Sequence, residues 1–171
     1  MLGVPLLGES NAILTLQGLS QWQDWFIHEQ FPEGSDEYRT MIKIRQCYSA
    51  ACDIYIHRAT SENKESPMSA TPHQYGVIRH ATTCDLIELL SQIPPHTPGA
   101  HTLVWPCFLG GAETTEPHQR AFFVDYMNSI YDRTKFRNIL VAVQSLQSIW
   151  ASKGDKRWTL CLPEHSNALV M

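Results

Sequence analysis

What is scarce in this chain narrows its function before any motif is considered. No stretch approaches the ~18 consecutive apolar residues of a membrane-spanning helix. The apolar start MLGVPLL lacks the basic flank and the roughly 7 to 15 residue apolar core of a secretory signal. Neither export nor a membrane partner is expected. Basic residues are outnumbered, with 13 Lys plus Arg against 17 Asp plus Glu and a net charge of -4, so the phosphate backbone of a nucleic acid finds no electrostatic footprint. Direct nucleic-acid contact is not expected. The charged fraction of 18% lies below the roughly 25% of an average globular protein, and its two signs are scattered rather than blocked, which argues against a disordered tail.

Ligand and catalytic motifs are equally sparse. The five cysteines, Cys47, Cys52, Cys84, Cys107 and Cys161, are odd in number and contain no C-x-x-C, so they read as free thiols of a reducing compartment. Cys47 and Cys52 stand five apart, off a common ligating face, and read as core cysteines. Eight histidines show neither H-x-x-x-H nor H-x-x-E-H spacing; His57 and His101 read as surface or helix-end residues. No metal and no cofactor is expected. G-x-S-x-G is absent, and Gly110 with Gly111 belongs to neither GxGxxG nor GxxxxGK[ST]. Those two glycines are expected to permit close helix packing.

What is present is helical periodicity. With 171 residues and 43% hydrophobic content the chain can bury one ordinary core, so a single domain over 1–171 is expected. Ser35 with Asp36 and Glu37 predicts the start of a long helix carrying Tyr38, Met41, Cys47, Ala51 and Ile54 and ending near Arg58. A polar, proline-bearing stretch predicts a flexible loop at about 60–71. Thr71 and Pro72 predict the next helix start, and Pro94, Pro95 and Pro98 its stop. The run Leu103 to Leu109 is apolar on every side and predicts a deeply buried element, a helix because Pro106 suits an early helical turn and not a central strand. Thr115, Glu116 and Pro117 open a further helix, and Asn138 caps another that Gly154 ends. Short helices are expected at Ser10 to Leu19, Ser20 to Phe31 and Trp158 to Leu162. No segment alternates with period two. The expected fold is all-α, an irregular multi-helix bundle without a sheet.

Near the buried run, Glu113 and Arg120 stand seven apart, and one reading makes them a functional acid and base. A helix-linking ion pair is expected between them, meeting where the turn folds back.

The run HTLVWPCFLGGAE, then Arg120, RNILVAVQSLQSIW and Trp158, resembles the C-terminal part of the fungal-specific transcription factor domain of binuclear zinc-cluster regulators. LLGESNAILTLQGLSQ and YSAACDIYIHRAT resemble earlier parts of the same domain, in the same order. The resemblance implies a helical domain that holds or releases an activation function in the nucleus. It carries over Trp105, Pro106, Gly110, Glu113, Arg120, Trp150 and Trp158 as scaffold residues, with no catalytic set. The family's zinc cluster begins with a C-x-x-C pair near basic residues, which this sequence does not match, and the family's domain is usually longer. The chain is therefore read as part of a longer regulatory domain without its own DNA-binding module.

Two other functions remain open: a stand-alone interaction protein that dimerises with related regulators, and an enzyme on a borrowed helical scaffold. The Gly3 to Phe31 segment, with Trp22, Trp25, Phe26 and Ile27, is where apolar residues should stay exposed. Burial there by a homo- or heterodimer partner, or by an apolar small-molecule effector, is expected.

Overall fold

Ser35 does what its position before Asp36 and Glu37 predicts. Its Oγ accepts the backbone N–H of Tyr38 at 3.0 Å, capping one of the amides that a helix start leaves without a partner. The computed structural model describes residues 25–62 and 72–152, and all regular structure among them is helical. α1 spans Asp36–Glu62 and α2 Pro72–Ser91. A 3-10 turn at Ala100–Leu103 leads into α3, Val104–Glu113, followed by α4, Pro117–Thr134, and α5, Arg137–Ala151. The chain forms two compact units, residues 1–45 and 46–171.

In the first unit, residues 25–30 are helical and Ile27 is buried, whereas Trp25 is 58% and Phe26 41% exposed. The chain turns at Gly34, whose φ of 82° suits a residue without a Cβ. The His28 and Tyr38 rings meet across this turn at 5.3 Å.

The second unit is built on α3. This helix packs on α2, α4 and α5, and Val104, Pro106, Cys107, Phe108, Leu109, Gly110, Gly111 and Glu113 are all buried. A helix apolar all round has nowhere to go but the interior. Pro106 is the third residue of α3, among the first N–H positions that have no intrahelical acceptor, so its missing N–H costs nothing. Around α3 the core collects Cys47, Ala51 and Ile54 from α1, Leu86 and Leu90 from α2, Phe123, Met127 and Ile130 from α4, and Ile139, Ala142 and Leu146 from α5.

Gly110 and Gly111 set how closely the neighbours approach. A Cβ on Gly110 would lie 2.6 Å from Phe123 Cζ and 2.8 Å from a Leu86 methyl, and one on Gly111 would lie 2.8 Å from a Leu146 methyl. Close packing is their role, as expected.

Several boundaries differ from expectation. α1 continues past Arg58 to Glu62, so residues 60–62 of the loop expected at about 60–71 are helical, and 63–71 lie outside the described residues. Glu116, not Thr115, precedes α4, and α5 starts at Arg137, one residue before Asn138. Trp105 is half-buried, not deeply buried. Thr71, Trp22, Gly154, the helix expected around Trp158, the segment Ser10 to Leu19 and the first part of Ser20 to Phe31 lie outside the described residues.

Candidate functional site

The polar residues of the second unit gather where α3 ends and α4 begins. Thr114 leaves the helix with ψ of 139°, its N–H still bonded to the Gly110 carbonyl at 3.1 Å. Thr114 and Glu116 are extended, and Pro117 starts α4 with a preset φ.

Glu113, the last residue of α3, has a side chain only 1% exposed. Its Oε1 lies 3.5 Å from Nε of Arg58, whose side chain is 18% exposed. A carboxylate carried into a core without a cation is strongly destabilising, and Arg58 of α1 supplies positive charge beside Glu113. The expectation that Glu113 pairs with Arg120 is corrected. Arg120 instead donates from Nε to the Thr114 carbonyl at 3.3 Å and places its guanidinium 5.1 Å from the centre of the Trp150 ring. The extended corner is the physical reason, because it brings the carbonyl left over at the end of α3 within reach of Arg120.

Trp150 completes this side of the corner. Its Nε1 donates to the Gly111 carbonyl at 2.9 Å, so one indole ties α5 to the last turn of α3 while carrying a cation on its face. Within the corner the Thr114 hydroxyl donates to Gln119 Oε1 and accepts the Glu116 N–H at 3.3 Å. Gln119 Nε2 then donates to Cys84 Sγ of α2 at 3.4 Å. Thr114 and Gln119 are both buried, and a buried amide or hydroxyl is costly unless bonded in this way.

At the opposite end of α3, Trp105 stacks on Tyr48 of α1, the centroids 5.7 Å apart and the planes 15° from parallel. The Tyr48 hydroxyl donates to the Thr102 carbonyl at 2.6 Å.

Of the seven residues carried over from the resemblance, Gly110, Glu113, Arg120 and Trp150 therefore meet at or beside the α3–α4 corner. Trp105 and Pro106 lie at the start of α3. Trp158 lies outside the described residues. Sequence reasoning missed Arg58, Thr114, Gln119 and Tyr48. Gln119 had a signal, since it shares a helical face with the buried Phe123, Tyr126, Met127 and Ile130, and a polar residue on such a face needs a partner. Thr114 had another, a hydroxyl three residues before a helix start.

The arrangement is one of cross-braces between helices. Among the described residues no group of three or more His, Cys, Asp or Glu could hold a metal ion, and no helix is long and apolar enough to cross a membrane. His57 is exposed, and His101 meets Phe136 edge-on at 5.9 Å. Burial pushes the Cys47 thiol up to about 12 and the Cys107 thiol well above the ordinary range. Cys52 is also raised, by burial and then by Asp53 beside it. Thiols held neutral in this way are poor nucleophiles.

A family model described as the fungal specific transcription factor domain matches residues 14–169. No curated protein and no solved structure matches the chain.

Proposed function

The chain belongs to the fungal specific transcription factor domain family, and from that premise we propose that it is the regulatory part of a transcription regulator, one that restrains or releases activation in response to an effector or partner. A part in transcription regulation follows from the family, and on this reading the chain works in the nucleus. The observation that supports the finer reading is the α3–α4 corner. Five helices are joined there by side chains that reach between elements: Arg58 to Glu113, Arg120 and Trp150 to the end of α3, and Gln119 to Cys84. Packed helices tied by a few polar bonds have discrete arrangements, and a ligand that favours one of them shifts the whole set. On this reading an apolar effector sits in a groove between helices, where all-helical proteins build their sites. The chain performs no catalysis and leaves DNA reading to another segment or another protein.

The test is a reporter driven by a heterologous DNA-binding domain and activation segment, fused with and without this chain. Output that falls when the chain is attached, and recovers with a partner or effector, supports the proposal. Equal output in all conditions contradicts it.

A second reading, an interaction protein that dimerises with related regulators, is favoured by Trp25, which stands 58% exposed on residues 25–30. Large apolar side chains in such a place are common at protein interfaces. Sedimentation velocity with and without Trp25→Ser checks it: a dimer that the substitution dissociates supports this reading, and an unchanged monomer removes it.

A further inference from the structure

Cys84 lies one turn beyond His80 on α2, and its Sγ is 3.7 Å from His80 Nε2. From α4, the Gln119 amide donates to the same sulfur at 3.4 Å. A thiol so placed has a base for its proton and a donor for the charge left behind, which are the requirements of a sulfur nucleophile. The other described cysteines stand in the opposite situation. Cys47 and Cys107 are sealed in the core, and the half-buried Cys52 has Asp53 opposing its ionisation. Cys84 is half-buried and His80 exposed, so a small reagent reaches this pair from solvent.

We propose that Cys84, with His80 as its base, is a modification site for soft electrophiles of the α,β-unsaturated carbonyl class, and that the adduct opens the α3–α4 corner. The chemistry does not rest on the regulatory reading, because it holds or fails in the purified chain. In the tautomer with Nε2 unprotonated, His80 takes the Sγ proton. The thiolate then adds to the β-carbon, forming the S–C bond while the π electrons move to the carbonyl oxygen. The resulting enolate takes a proton back, from the imidazolium or from water, and neither an oxidant nor a leaving group is involved.

The structural consequence follows from what Gln119 does. A carbon substituent on Sγ occupies the space and the lone pair that the Gln119 amide uses. Gln119 also accepts the Thr114 hydroxyl, which in turn holds the Glu116 N–H. Displacing one buried amide therefore undoes the sequence of bonds that closes the corner.

The experiment treats the full chain with limiting N-ethylmaleimide at pH 7 and follows each cysteine by peptide mapping. Cys84 should be labelled before Cys47, Cys52 and Cys107. His80→Gln should slow Cys84 labelling about five- to tenfold, because an unassisted thiol is already a few per cent ionised at neutral pH and full ionisation leaves room for only about thirtyfold. Hydrogen exchange at the Thr114 and Glu116 amides should quicken in the adduct and stay slow in reagent-treated Cys84→Ser. Labelling of Cys52 as fast as that of Cys84, or a rate indifferent to His80→Gln, overturns the site. An adduct whose exchange at the corner is unchanged, or whose helicity is lost throughout, overturns the coupling to the corner.

Discussion

Arg120 and Trp150 form a single unit across the α3–α4 corner: the guanidinium lies 5.1 Å from the indole centroid, while the indole N–H holds the Gly111 carbonyl at 2.9 Å. The two contacts use different parts of Trp150, its face and its edge, so they can be separated by substitution. Trp150→Phe keeps a ring for the cation and removes the N–H, leaving a helix-end carbonyl without that donor. A loss of about 1 to 2 kcal/mol is expected, the cost of a hydrogen bond at a half-buried site. Trp150→Leu removes both and should cost more. Chemical denaturation of the two variants checks the order, and a Trp150→Phe midpoint equal to that of the wild type would show that the indole edge contributes nothing.

Gly110→Ala should be worse tolerated than Gly111→Ala. The added methyl at residue 110 meets the Phe123 ring and a Leu86 methyl together, whereas at residue 111 it meets the end of one Leu146 side chain that can rotate. Overpacking of a filled core costs about 1 to 3 kcal/mol, and Gly110→Ala belongs at the upper end. Thermal midpoints of the two variants decide the ranking.

Arg58→Ala should destabilise by about 1 to 3 kcal/mol, the range for removing one partner of a buried polar group, because the Glu113 side chain is 1% exposed. Replacing both residues, Arg58→Met with Glu113→Gln, should restore part of the loss, since both charges of this pair are then removed together. A double-mutant cycle reads the coupling. Additive effects would place the stabilising partner of Glu113 elsewhere.

The buried thiols and phenols predict loss of stability in alkali. Cys47 is pushed up to about 12, and Cys52, Cys107, Tyr48 and Tyr126 are raised as well, each chiefly by burial. The folded chain therefore keeps protons that the unfolded chain gives up. The contribution is full below the ordinary thiol pKa and is lost as pH rises from about 9 toward 12. Denaturation midpoints should be flat with respect to these groups from pH 6 to 8 and fall above 9. Cys47→Ala should flatten part of that fall, and an unaltered slope would mean that Cys47 ionises as readily folded as unfolded.

The helices were legible because local chemistry marks their ends. Ser35, Pro72 and Pro117 each stand at or beside an observed start, and the all-apolar run before Leu109 could only be buried. The cross-braces were not legible, and Glu113 shows why. Periodicity tells which face of a helix is inward, but not which neighbour it meets, so nearness along the chain suggested Arg120 where the fold supplies Arg58. Trp105 shows a second limit. A run apolar on every side gives no clue to which member reaches the rim, and Trp105 does so by stacking on Tyr48. Cys84 and Gln119 meet only because α2 and α4 both pack on α3.

The central claim, that the α3–α4 corner is the switchable part of a transcription-regulatory domain, is tested most directly by Arg120→Ala in the reporter fusion. Protein level and thermal midpoint are measured beside the output. The substitution frees the Thr114 carbonyl and uncovers the Trp150 face while leaving the apolar core in place. Reporter output shifted severalfold, with level and midpoint close to wild type, is the predicted result. Output that stays at the wild-type value, or changes only as far as protein level changes, would contradict the account and leave the corner a purely architectural feature.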